Sequence, residues 1–192
     1  MAHIYAFLAS LFLTAPTEEQ FERLRGILEI FKLPPLKSLA LEEVKREFYD
    51  LFVVPNPKYV RPYESVYRDK ILMESAGDTE SGKPLKNKSI RGLLMGKSTL
   101  GVIQHYRSAG MYPVSGLPDH IGNELSFLAS LAMKKGSAAP EEAIRLGKIE
   151  KDFKKKHVMK WIGKLEKKVS RNDRTGYYQA AVATAQCLLL EQ

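Results

Sequence analysis

GLPDHIGNELSFLASL, residues 116–131, is the stretch whose reading decides the fold: a tight turn runs directly into an apolar helix and sets an acid beside a histidine. Gly116 and Pro118 punctuate the turn, and the fixed φ of Pro118 suits a chain entering a helix. Asp119 then stands where a helix needs a cap, because a carboxylate there accepts from the free N–H groups of the first turn and faces the positive end of the helix dipole. Downstream, Ile121, Leu125, Leu128 and Ala132 recur at helical spacing, and Phe127 and Leu131 widen the stripe, so the segment after His120 reads as a buried helix.

The same period governs the rest of the chain. In MAHIYAFLASLFLT, residues Ile4, Phe7, Leu8, Leu11 and Phe12 form one face, and the absence of a basic leading segment favours a core helix over a signal peptide. Thr17 and Gln20 have the spacing of a capping box ahead of Phe21, Leu24, Leu28 and Phe31. Pro34 and Pro35 end that helix, and a third is expected from near Ser38, with Leu41, Val44, Phe48, Leu51 and Phe52 inward. VVPNPKYVRP, residues 53–62, reads as an ordered loop, after which Tyr63, Val66 and Tyr67, with Ile71 one turn on, share a helical face that leaves Glu64 and Ser65 toward solvent or a ligand. Residues 75–89 are polar and read as a mobile loop.

From about 90 to 109 the pattern is helical again. Pro140 opens a long helix in which Leu146, Ile149, Phe153, His157, Trp161, Leu165 and Val169 recur every three or four residues. SRNDRTG breaks it, and Tyr178, Ala181, Val182, Ala185, Leu188 and Leu189 line the last helix. No period-2 alternation is long enough to build a sheet, so the expectation is all-α: a single-domain helical bundle over residues 1–192.

The chain carries a formal charge of +8, with 44% hydrophobic residues, and a pI near 9.4. That charge permits anionic partners without choosing among them. A single cysteine, Cys187, excludes a disulfide framework within one chain and fits a reducing compartment. No apolar run approaches the roughly 20 residues that span a bilayer, so no stable membrane insertion is expected. GKS at Gly96, Lys97 and Ser98 lacks the earlier glycine of a phosphate loop, since Arg91 stands there. His3, His105 and His157 are scattered away from Asp119 and His120, and neither nucleophile nor metal-ligand spacing accompanies the pair, so catalysis is not expected. Residues 148–171 are the most basic part; their lysines alternate with an apolar stripe, which reads as a solvated helix face, with a basic helical nucleic-acid-binding protein as the alternative.

GLPDHIGNELSFL closely resembles the signature of the TorD/DmsD/NarJ family of cytoplasmic redox-enzyme maturation chaperones. EFYDLFVVPNPKYVRPYESVYRD resembles a second block of that family, and STLGVIQHYRSAG, DFKKKHVMKWIGKLEKKV and GYYQAAVATAQCLLL resemble its later helices in the same order. The resemblance implies a TorD-like all-α bundle without a reaction of its own. Such a protein binds the twin-arginine leader, the apo form, or both, of a molybdenum-containing oxidoreductase subunit until cofactor insertion and export. It implies no cofactor, although nucleotide binding is associated with some members, and it leaves monomer and helix-exchanged dimer both open. The family's leader-binding Pro-Asp-His segment falls on Pro118, Asp119 and His120. A leader combines arginines with an apolar helix-prone segment, so Asp119, Glu124 and Glu64 are expected to serve the arginines, Leu117, Tyr63 and Tyr67 to line the groove, and Ser65 to lie between them.

Overall fold

Two helices that are apolar on most sides, one at the start of the chain and one after the signature turn, form the centre against which the others pack. The computed structural model describes residues 1–30, 32–34, 36, 40–73 and 88–190. In order these give α1 (Ala2–Leu13), α2 (Glu18–Ile30), α3 (Leu41–Phe48), a π-helical turn (Tyr49–Val53), α4 (Glu64–Arg68), β1 (Lys70–Met73), β2 (Lys88–Arg91), α5 (Lys97–Ser108), α6 (Ile121–Ser137), α7 (Pro140–Lys156), α8 (Val158–Asn172) and α9 (Tyr177–Leu190). The fold is an all-α bundle, and its buried apolar side chains form one core running from Tyr5 to Leu189.

α1 packs along α6. Gly122 makes the approach feasible: a Cβ there would lie 2.6 Å from Leu13 Cγ and 3.1 Å from the Ala9 carbonyl oxygen. The capping box forms as its spacing predicts, Gln20 N–H donating to Thr17 Oγ1 at 3.2 Å and Thr17 N–H to Gln20 Oε1 at 2.8 Å. In α9 all six expected inward residues are buried, while Cys187 is half-buried. Asp173 starts that helix, its carboxylate accepting from the N–H groups of Thr175, Gly176 and Gln179.

Several expectations are corrected. The helix expected through Ile71 ends at Arg68, and Ile71 lies on β1, which pairs antiparallel with β2 in the register Lys70↔Arg91 to Met73↔Lys88. Strand pairing between segments this far apart leaves no trace in local period. Residues 75–87 of the expected mobile loop lie outside the described residues, as does Ser38, and α3 begins at Leu41. α5 begins at Lys97 rather than near residue 90, because the Asp69 carboxylate takes the Ser98 N–H at 2.9 Å and its hydroxyl at 2.6 Å. That carboxylate occupies the place an anion would take at this helix start, which removes the phosphate-loop reading. The long helix expected from Pro140 breaks at His157, where φ is −116° and ψ is −93°. The side chain of Arg68 satisfies the carbonyl of Lys156 at the break, at 2.7 Å.

Candidate functional site

The signature turn is sewn to the start of α4. Glu64 N–H donates to the Asp119 carbonyl and Ile121 N–H to the Pro62 carbonyl, both at 2.9 Å, so Tyr63 and His120 face each other as an antiparallel bridge. Their rings meet edge to face, centroids 5.2 Å apart. The cap of α6 is His120 and not Asp119: Gly122 N–H donates to His120 Nδ1 at 3.1 Å. Asp119 reaches across the chain instead, its Oδ2 accepting from Ser65 N–H at 2.9 Å, inside the first turn of α4. Asn123 closes the turn, its side-chain amide donating to the carbonyls of Ser115 and Leu117.

Burial divides the expected site residues in two. Glu64, Ser65, Asp119 and Glu124 are each 0% exposed, which corrects the placement of Glu64 and Ser65 toward solvent. Glu64 Oε2 accepts from His157 Nδ1 at 2.8 Å, and Oε1 from Arg68 Nη1. Glu124 Oε2 accepts from the indole N–H of Trp161 at 3.1 Å. Burial, then the neighbouring Glu64 carboxylate, holds the Glu124 carboxyl well above the usual range. Two oxygens of this cluster, Asp119 Oδ1 and Glu124 Oε1, have no hydrogen-bond partner, nor has the Ser65 hydroxyl.

Tyr63, Leu117 and His120 line a cleft of about 170 Å³. Its other walls are Phe12 and Leu13 of α1, Phe48 of α3, Phe52 and Val53 of the π-helical turn, and the backbone around Ser115 and Gly116. Sequence reasoning assigned Phe12, Phe48 and Phe52 to core faces alone; the signal that could have found Phe48 and Phe52 is their place in the block that leads to PYESVY, whereas Phe12, in α1, carries no such signal. Tyr67 stands apart from this cleft, stacked on Trp161 with centroids 5.4 Å apart and covered by the Lys168 ammonium at 5.3 Å. Pro118 contributes its carbonyl, which accepts from the Tyr106 hydroxyl at 2.9 Å.

Burial lowers the His120 imidazole from 6.5 to about 4, against the opposing pull of Asp119. The folded ring therefore stays neutral where the unfolded one takes a proton, and stability must fall as pH drops through that window. We expect the melting temperature to decline between about pH 6.5 and pH 4, at up to about 1.4 kcal/mol per pH unit from this group. His120→Asn, which caps without titrating, should remove that component of the slope in thermal scans. An unchanged slope would mean that burial does not hold the folded ring neutral.

The fold is thus an all-α bundle with a small cleft of mixed polar and apolar lining beside buried carboxylates. Residues 12–166 match the family described as the nitrate reductase delta subunit. The chain belongs to this family, which includes NarJ and TorD. A TorD chaperone protein of Vibrio cholerae El Tor Inaba N16961 is 27% identical over 180 residues, spanning 91% of this chain and 72% of its own length. Its counterpart in the Classical Ogawa 395 strain is 25% identical over 185 residues, spanning 96% and 74%. Among solved structures, a protein from Archaeoglobus fulgidus assigned to redox enzyme maturation superposes with a TM-score of 0.52 at 19% identity, over 97% of this chain and 92% of that one, and so shares the fold. These relatives are named as chaperones and, for the solved structure, as a redox enzyme maturation protein, not as catalysts.

Proposed function

We propose that the chain acts in the cytoplasm, holding the twin-arginine leader, the apo form, or both, of a molybdenum-containing oxidoreductase subunit until its cofactor is inserted and the subunit is exported. The observation that carries this reading is the pairing of a cleft partly walled by Tyr63, Leu117 and the phenylalanines of α1, α3 and the π-helical turn with unpartnered buried acceptors. Tyr63, Leu117 and His120 face the cleft, Tyr49, Val53 and Val54 stand exposed near it, and the Glu64, Asp119 and Glu124 carboxylates lie behind the Tyr63–His120 bridge. A leader's apolar segment would fill the cleft. Its arginines would reach Asp119 Oδ1 and Glu124 Oε1 once that bridge parts, which replaces orphan oxygens with charge-assisted hydrogen bonds. A chain of charge +8 gains nothing from long-range attraction to a basic leader, so affinity has to come from these local contacts. The relatives named as TorD chaperones support the same reading.

Calorimetric titration of the full chain with the precursor's leader peptide tests it. Tyr63→Ala and Leu117→Ser should each weaken binding about tenfold or more, equivalent to roughly 1.4 kcal/mol, with little change in melting temperature. Replacing the peptide's two arginines by glutamine should weaken binding comparably. If both protein variants bind like the parent, the leader site is not this cleft. If duplex DNA binds more tightly than the leader at physiological salt, the chaperone reading gives way to a nucleic-acid one.

A further inference from the structure

Between Gly92 and Gly96 the chain presents three large apolar side chains to solvent: Leu93, Leu94 and Met95 are 42%, 46% and 70% exposed, and Leu100, one turn into α5, is 61% exposed. The display is built into the backbone. At one end Gly92 sits at φ 81°, its carbonyl accepting from Arg61 Nη1 at 2.5 Å. At the other, Gly96 has no room for a side chain, since a Cβ would lie 2.0 Å from the Asp69 carboxylate that caps α5. Met95 itself is held at φ 61°, a left-handed conformation that L side chains rarely adopt. A loop fixed at both ends that points three apolar residues outward is poorly explained by folding stability.

A second feature adjoins it. A cleft of about 540 Å³ opens at the base of the same loop, with Gly92 in its wall and Arg61, Arg91, Lys168 and Tyr59 around it. No carboxylate is among the described residues that line it. Exposed Lys97 and Lys70 stand on the flanking elements. An apolar tip beside a cluster of cations matches one kind of partner, a surface with phosphates above an apolar layer. A nucleic acid or a free phosphate would use the cations and leave the leucines in water.

We propose that this face docks peripherally on an anionic phospholipid surface, Leu93, Leu94 and Met95 seating in the interface while Arg61, Arg91 and Lys168 take lipid phosphates. Among the described residues no helix is long and apolar enough to cross a membrane, so the contact is one of surface docking. The face shares no lining residue with the cleft beside His120, so it stands or falls independently of leader binding.

Flotation of the full chain with vesicles tests this, using phosphatidylcholine alone and phosphatidylcholine mixed with phosphatidylglycerol. The protein should float with the anionic vesicles and stay behind with the neutral ones. The double variant Leu93→Ser/Leu94→Ser and the single variants Arg91→Gln and Lys168→Gln should each lower the partition at least tenfold, with melting temperature and leader affinity held at the parent's values. Inorganic phosphate in excess over the lipid phosphate should leave most of the partition intact. Equal partition into both vesicle types, or none into either, overturns the proposal. So does a loop variant that partitions like the parent while phosphate displaces the protein, which would make the cleft a soluble-anion site, or while duplex DNA binds it, which would make the cations a nucleic-acid contact.

Discussion

Glu64→Ala is expected to lower stability by about 3–5 kcal/mol, the cost of breaking a buried ion pair from one side. Glu64 is completely buried, and its two oxygens hold Arg68 and His157. Arg68 also donates to the Lys156 carbonyl at 2.7 Å, so the carboxylate anchors α4 to the break between α7 and α8. Removing it leaves the His157 ring, 5% exposed, facing a void, and frees the residue on which that break is built. The loss should lie toward the lower end of the range, because the Arg68 side chain is 30% exposed and can turn to water. Glu64→Gln keeps the volume and one acceptor and should cost less. Urea unfolding of both variants, with an unchanged slope, measures this. A loss under about 1 kcal/mol for the alanine variant would show that α4 is held by the Asp119–Ser65 contact alone.

Much of the bundle was legible because its causes are local. The apolar period of α1, the capping box before α2, and the inward face of α9 are set by residues within four positions of one another. The site was legible in composition and misread in geometry. Asp119 does cap a helix, but the helix is α4, entered 54 residues earlier in the chain. His120 takes the local cap through Nδ1, a role in which an imidazole gives no stronger sequence signal than any other polar residue. KKKHVMKW contains neither glycine nor proline, so the stripe from Leu146 to Val169 runs through a break that exists because Glu64, 93 residues away, holds His157. Glu64 and Ser65 looked like the polar side of a surface helix. They are the buried side, because the signature turn lies over them.

The same cluster gives stability opposite slopes at the two ends of the pH range. His120 lowers it toward acid, and Glu124 should lower it toward base. The Glu124 carboxyl is held well above its usual 4.5 by burial first and by Glu64 second, so the folded chain keeps a proton that the unfolded chain releases. That contribution is complete below about 4.5 and is lost as pH rises toward the folded value. Glutamine has the shape of the protonated acid. Glu124→Gln should therefore match the parent near pH 4.5 and exceed it increasingly toward pH 8, provided its oxygen still accepts from Trp161. Glu124→Ala should cost about 2–4 kcal/mol near pH 4.5, because it strands the Trp161 N–H in the core and leaves a cavity beside it, and that cost relative to the parent should shrink toward pH 8 by the amount that glutamine gains. Adding Trp161→Phe to the alanine variant should recover the part due to the stranded donor, which a double-mutant cycle isolates. The deciding comparison is Glu124→Gln at pH 7 to 8. If it is as damaging there as alanine, the carboxyl is ionised in the folded chain and its negative charge holds the cluster together; if it stabilises, the acceptors behind the Tyr63–His120 bridge include a neutral acid, and an arriving arginine would gain its full pairing only by driving that proton off.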